Sequence, residues 1–200
     1  MRSDIDTVVA AVEGGAVVAI PTETVYGLGA AARYSTAVDA IFELKGRDRS
    51  KALPVLAATL EALRDVVIFD ERAERVARRF WPGPLTLVLP RAASFDVDVG
   101  GDDGDTIAVR VPGHDVALAL LRRTGPLAVT SANQSGDDPA TTVDDVRAIF
   151  GDAVAAYLDA GRCEGSPSTV ISLVGEPRVL RVGDLDPAVV VADALASWRS

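Results

Sequence analysis

Ala16-Val17-Val18-Ala19-Ile20-Pro21-Thr22-Glu23-Thr24-Val25-Tyr26-Gly27-Leu28-Gly29 is the stretch on which the architecture turns. Ala16 to Ile20 is apolar at every position and reads as a short buried strand. Pro21 stops it, since proline brings no N–H to a ladder. Thr22 to Gly29 then reads as a polar, glycine-bearing turn at the carboxyl end of the strand, where α/β sheets collect ligands. Upstream, Ile5, Val8, Val9 and Val12 recur at helical spacing from about Asp4, and Gly14-Gly15 ends that helix.

Downstream, strands and helices mix without strict alternation. A helix capped by Ser35 runs through Leu44, with Gly46 after its end, and Leu53 to Leu56 forms a strand. Helices are expected at Thr59 to Asp65 and Asp70 to Phe80, the latter broken by Trp81-Pro82-Gly83-Pro84 before a strand at Leu85 to Leu89. Asp96 to Asp105, with its glycines, reads as a solvated acidic loop. A strand at Thr106 to Val111, a helix from His114 to Arg123 and a strand at Leu127 to Thr130 follow. The polar loop Ser131 to Thr141 leads to a helix from about Thr142 to Phe150. Strands at Ala155 to Leu158, Thr169 to Val174 and Arg178 to Val182 precede a last helix over Pro187 to Trp198. The pattern predicts an α/β single domain spanning residues 1–200, built on a twisted mixed β-sheet with helices on its faces.

With 200 residues, 48% of them apolar and only 5% aromatic, the chain builds one core mainly from Val, Ala, Leu and Ile. No apolar run is long enough to cross a bilayer, and Met1-Arg2-Ser3-Asp4 leads into an acidic amphipathic stretch, so a cytoplasmic protein without membrane association is expected. Cys163 and His114 are the only residues of their kinds, which excludes a disulfide framework, a zinc site or a Cys-His nucleophilic pair within one chain. His114 reads as a helix-entry residue. The formal charge of -9 resembles a halophile's acidic surface and argues against a broad nucleic-acid-binding face, so stable tRNA binding is not expected. Lys45 and Lys51 are the only lysines, and both fall in the basic stretch Lys45-Gly46-Arg47-Asp48-Arg49-Ser50-Lys51.

Polar segments at Pro21 to Gly29, Lys45 to Lys51, Thr106 to Arg110 and Thr130 to Gly136 each lie near a strand end. If they converge, they supply the cations, hydroxyls and amides that suit a triphosphate beside a small zwitterion. Taken singly each has a plainer reading. Lys45 and Arg47 complement a helix dipole, Thr22 bonds its own turn, Arg110 pairs with an Asp, Arg181 is a strand-edge charge, and Thr141 or Thr142 caps a helix. No phosphate-binding Gly-x-x-x-x-Gly-Lys-Ser/Thr loop is present.

Five motifs occur in order: Pro21 to Gly29, Lys45-Gly46-Arg47, Trp81-Pro82-Gly83-Pro84-Leu85-Thr86, Ala108-Val109-Arg110-Val111-Pro112, and Thr130-Ser131-Ala132-Asn133-Gln134-Ser135-Gly136. Together with Ser168-Thr169-Val170 and Leu180-Arg181-Val182-Gly183, they resemble the YrdC-like threonylcarbamoyl-adenylate synthase family from about residue 16 to 183. The resemblance implies formation of threonylcarbamoyl-AMP and pyrophosphate from L-threonine, bicarbonate and ATP, with Mg2+ accompanying the ATP. The product then goes to a downstream threonylcarbamoyl-transferase machinery that modifies tRNA. It assigns Lys45, Arg47, Ser131 and Asn133 to catalysis and ATP, adds Arg49, Thr106, Thr141 and Arg181 on the ATP side, and gives Thr22, Arg110, Thr130 and Ser168 to threonine. It implies neither a fixed protein ligand for metal nor a protein nucleophile. Asp48 stands where the family commonly has proline, and Val55-Leu56 near its Val-His pair. Long family members carry a second domain, so closure of the site is expected from this chain's own loops. A carbamoyl-adenylate-forming enzyme and a non-catalytic RNA-binding factor are the competing expectations.

Overall fold

The computed structural model describes residues 4–102 and 104–196. In chain order the elements are α1 (Ile5–Glu13), β1 (Val18–Ile20), β2 (Gly27–Ala31), α2 (Ser35–Lys45), β3 (Val55–Leu56), α3 (Glu71–Phe80), β4 (Leu85–Pro90), β5 (Thr106–Arg110), α4 (Asp115–Thr124), β6 (Leu127–Ser131), α5 (Val143–Phe150), β7 (Ala156–Tyr157), β8 (Thr169–Ser172), β9 (Arg178–Arg181) and α6 (Pro187–Ala196). The strands form one sheet in the order β7-β1-β2-β6-β3-β5-β4-β8-β9. The β1–β7, β3–β5 and β4–β8 pairs are parallel and the others antiparallel, which makes the sheet mixed as expected.

Local chemistry sets several helix ends. Asp4 accepts from the Thr7 amide at the start of α1 and Asp70 from the Ala73 amide at the start of α3, while Thr142 and Asp145 form a reciprocal capping box on α5. Gly46 ends α2 in the left-handed region at φ 57. Ser35 does not cap α2 as expected: it is the first helical residue, and Tyr34 takes the cap position without a side-chain bond.

Alternate residues of the strands feed two apolar layers. Against one face pack Ile41 and Phe42 of α2, Val76 of α3, Val146 of α5 and Val190 of α6, meeting Leu28, Val55, Leu87, Val109 and Ile171. On the other face α1 and α4 bring Val8, Val9, Val12, Leu120 and Leu121 onto Val18, Ile20, Leu56, Leu127 and Val129. That second layer covers only one end of its face. Beyond Leu56 and Val129 the sheet is left to form a floor.

The structure corrects some element assignments. Thr22 to Gly29 is not all turn, because Gly27–Ala31 is a fully buried strand paired on both sides. Glycine has low strand propensity, but here close approach decides: a Cβ on Gly27 would lie 2.7 Å from Val129 Cγ1 and 3.1 Å from the Thr130 carbonyl. Thr59 to Asp65 yields only a 3-10 turn at Glu61–Leu63. The acidic loop is less solvated than expected, since Val99 is buried and its carbonyl accepts from the Leu53 amide at 2.8 Å. The last helix is described to Ala196, and its expected end at Trp198 lies outside the described residues.

Gly27→Ala is expected to destabilise the fold by about 1–3 kcal/mol through overpacking. Adding Val129→Ala should recover part of that loss, because the two residues share one contact. Urea denaturation of the two single variants and the double variant checks both outcomes.

Candidate active site

The uncovered part of the sheet floors a cavity of about 370 Å³. Leu56, Ala108, Val129 and Val170 give it an apolar base, and Thr22, Arg47, Arg110, Thr130, Ser131, Asn133, Ser168 and Arg181 stand around it. The pleat explains this grouping. Alternation along β5 puts Ala108 and Arg110 on the cavity face while Ile107 and Val109 enter the core, and β6 splits Val129 and Ser131 from Ala128 in the same way. Segments far apart in sequence thus converge at one end of the central strands.

Arg47, Arg110 and Arg181 all reach this cavity. Arg47 is oriented by its own loop, donating from Nε to the Lys51 carbonyl at 2.8 Å and from Nη2 to the Ala52 carbonyl at 3.2 Å. Arg181 donates from Nε to the Ser168 carbonyl at 3.0 Å and from Nη2 to Ser168 Oγ at 3.1 Å. Strand β9 is exposed along its length, yet the Arg181 head group turns inward. Burial pushes it below the usual guanidinium range, and the Arg110 and Arg47 charges push it further the same way. Burial also lowers Arg47. Mutually repelling, partly desolvated cations are a receptor for an anion, which relieves both penalties.

Lys45 occupies a different position from the one expected of a phosphate ligand. It is the last residue of α2, 2% exposed, and outside the cavity lining. Its Nζ donates to the Ser131 carbonyl at 2.6 Å, the Asn133 carbonyl at 2.6 Å and Asn133 Oδ1 at 3.3 Å. Asn133 Nδ2 in turn donates to the carbonyls of Gln134 at 2.7 Å and Asp137 at 2.9 Å. Lys45 therefore braces the loop after β6 from behind, Asn133 ties that loop together while lining the cavity, and the loop presents Ser131 there. Burial, with a smaller contribution from the Arg47 charge, pushes the Lys45 ammonium down to about 8.

The hydroxyl side is equally organised. Thr22 Oγ1 donates to the Val25 carbonyl at 2.7 Å, and the Thr24 and Val25 amides donate to it at 3.2 Å, so it does bond its own turn while lining the cavity. Thr86 and Ser168 share a hydroxyl hydrogen bond of 2.8 Å. Tyr26 ties the wall together by donating to the Gly161 carbonyl at 2.7 Å and accepting from the Ala160 amide at 3.2 Å, and burial pushes its phenol up to about 12. Thr24 and Thr86 line the cavity but had no role in the sequence reading, although each sits inside a quoted motif. The signal for Thr86 was its place on β4, and that for Thr24 was a hydroxyl in the turn before β2.

Three expected site residues stand elsewhere. Arg49 is outside the cavity, held by Asp39 at 2.7 Å and Asp98 at 2.9 Å over the Phe42 ring, because two surface carboxylates compete for it. Thr106 opens β5 opposite Pro90, about 13 Å along the strand from Arg110 at ordinary strand rise. Thr141 accepts a bond from Arg162 Nη1 at 2.7 Å in the loop before α5 and does not line the cavity. His114 stands at the entry of α4, as expected. Among the described residues no three His, Cys, Asp or Glu side chains cluster as a metal site.

Residues 10–183 match the model of the Sua5/YciO/YrdC family, which is described as telomere recombination. A protein of Mycobacterium tuberculosis is 44% identical over 178 residues, 88% of this chain and 82% of its own. A Shigella boydii protein named threonylcarbamoyl-AMP synthase is 40% identical over 166 residues, 80% of this chain and 86% of its own. The crystal structure of Pyrococcus abyssi Sua5 complexed with L-threonine is similar with a TM-score of 0.89 and 38% identity, covering 98% of this chain and 60% of that one.

The Lys45 geometry sets a pH dependence. With a folded pKa of about 8 against the ordinary 10.5, the unfolded chain holds a proton between these values that the folded protein has released. Stability should therefore rise with pH through that window. Denaturant titrations at pH 8 and 9.5 should show stability rising with pH relative to Lys45→Met, a difference that isolates Lys45 from Tyr26 and Cys163, whose raised values act in the opposite sense in both proteins.

Proposed function

The chain belongs to the Sua5/YciO/YrdC family, and on that premise we propose that it is a threonylcarbamoyl-AMP synthase acting in the cavity just described. The observation that carries the reading is the meeting of Arg47, Arg110 and Arg181 over an apolar floor ringed by hydroxyls. A triphosphate and an amino-acid carboxylate are both anions that a guanidinium grips with paired N–H groups.

In the proposed reaction the amine of threonine forms an N–C bond to bicarbonate as a C–O bond breaks, and the hydroxyl leaves with an amine proton as water to give an N-carboxy group. One of its oxygens attacks the α-phosphorus of ATP, and pyrophosphate leaves with the electrons of the broken P–O bond. Catalysis of this kind rests on positioning and on neutralising charge as it moves. Arg47 and Arg181 neutralise the phosphates, and Ser131 orients them. Arg110 binds the threonine carboxylate, while Thr22, Thr130 and Ser168 surround the rest of the amino acid. Lys45 acts one step removed, by fixing the loop that carries Ser131, and Asn133 holds the same loop from within the cavity lining. Asp137 is the one carboxylate in the described lining, which fits Mg2+ arriving with ATP as part of the substrate, where it would add neutralising charge. The threonylcarbamoyl-adenylate would then serve a downstream transferase acting on tRNA. No described helix is long and apolar enough to cross a membrane.

Pyrophosphate release should require threonine and bicarbonate together, and equal turnover without threonine would overturn the reading. Catalytic efficiency should fall from threonine to serine to valine. Losing a methyl costs about 1–3 kcal/mol, whereas leaving a buried hydroxyl-reading group unpaired can reject a substrate by roughly four orders of magnitude. Valine matching serine would show that the hydroxyl is not read. Arg110→Ala should weaken all three amino acids.

A further inference from the structure

Arg110 is 7% exposed in its side chain and is braced on several sides. Nε donates to the Gly83 carbonyl at 3.1 Å, Nη1 donates to Thr24 Oγ1 at 3.4 Å, and Nη2 lies 2.8 Å from Glu23 Oε1. That last contact is an ion pair whose geometry is not that of a hydrogen bond, so Nη2 has no hydrogen-bond acceptor among the described residues. Glu23 Oε1 also accepts from the Gly113 amide at 2.7 Å, while Glu23 Oε2 is buried with no partner among the described residues. Glu23 itself does not line the cavity.

The surroundings leave the carboxylate little freedom. A Cβ on Gly113 would lie 3.2 Å from Glu23 Oε1 and 3.4 Å from Gly83 Cα, and a Cβ on Gly165 would lie 2.5 Å from the Glu23 carbonyl. Glu23, in the turn after β1, thus has its carboxylate against the Gly113 backbone of the loop after β5 and its own carbonyl against Gly165. It offers its charge to Arg110 from the side away from the cavity.

Resting on the function proposed above, we propose that Glu23 is the positioning residue that reserves Arg110 for the amino-acid carboxylate. The reasoning is electrostatic. Three guanidiniums share one cavity with a polyanion, and each is drawn toward the phosphates. Arg47 and Arg181 are held by carbonyl and hydroxyl oxygens, which carry no net charge. Among the described residues, Arg110 alone of the three is paired with a carboxylate at ion-pair distance. Glu23 cancels part of its charge and fixes its orientation, and it leaves N–H capacity unbonded. Such a group favours a monoanion met at fixed geometry over a triphosphate that rewards net charge.

The test is steady-state pyrophosphate release with threonine and ATP varied separately, in the unmodified protein, Glu23→Gln, Glu23→Asp, Arg110→Ala and the Glu23→Gln/Arg110→Ala pair. Glu23→Gln keeps an oxygen for the Gly113 amide and removes the charge. It should raise KM for threonine about 10- to 100-fold, the loss typical when a misplaced Arg110 forfeits a charge-assisted hydrogen bond to the threonine carboxylate, and move KM for ATP less than about threefold. Glu23→Asp, which keeps the charge, should retain more threonine affinity than Glu23→Gln and stands as the second variant if Gln prevents folding. The paired variant should be no worse than Arg110→Ala alone, because Glu23 acts through Arg110. Equal rises in both KM values, or losses that multiply in the pair, overturn the proposal while leaving the synthase reading intact. Threonine-independent turnover in the unmodified protein overturns the synthase reading itself, and this proposal with it.

Discussion

A buried ammonium must be met by oxygens, and Lys45 imposes that demand on the centre of this protein. Its Nζ draws the carbonyls of Ser131 and Asn133 to the end of α2, and the polypeptide between them folds back accordingly. The loop so formed pairs with the turn that precedes β2: the Ala132 amide donates to the Tyr26 carbonyl, the Ala140 amide to that of Ala132, and the Tyr26 amide to that of Ala140. Tyr26 extends the same chain of bonds through its phenol to the strip around Gly161. Removing the Lys45 side chain would leave these oxygens without their donor, and the walls of the cavity would lose their common fixed point.

The cavity is electrically unlike the molecule that contains it. The chain carries a formal charge of -9, yet Arg47, Arg110 and Arg181 collect in one concavity, where Asp137 also stands in the lining and Glu23 pairs with Arg110 from outside it. Clefts with low-dielectric walls focus the field of the charges that line them. A small anion therefore meets a local attraction opposite in sign to the protein's net charge. A long polyanion spanning the surface would meet mainly acidic side chains.

Much of the architecture was legible because it is written in short-range chemistry. Asp4, Asp70 and Thr142 mark helix starts, Gly46 marks a helix end, and the mixed order of elements implied a mixed sheet. What was not legible depends on partners remote in sequence. Gly27–Ala31 looks like a turn until Val129 and Thr130 are placed against it, and Thr59 to Asp65 has helical residues yet buries Leu60 and Leu63 in the core with only a 3-10 turn. Within the site, order and motif brought Arg47, Arg110, Ser131, Ser168 and Arg181 to attention, and these do converge. Arg49 was drawn in by proximity along the chain, which says nothing of Asp39 and Asp98 waiting on the other side. Residue type alone also could not show that Lys45 faces carbonyl oxygens rather than solvent.

Lysine is confined to positions 45 and 51, and only Lys51 is exposed. Side-chain amine chemistry thus has a single accessible address on the described surface. Its carbonyl accepts from Arg47 Nε, so a fluorophore or affinity tag attached there would sit on the very loop that aims a cavity guanidinium. The scarcity of lysine, a matter of composition, makes the molecule suited to site-selective labelling without any engineered cysteine, and puts the label where it can report on events in the cavity.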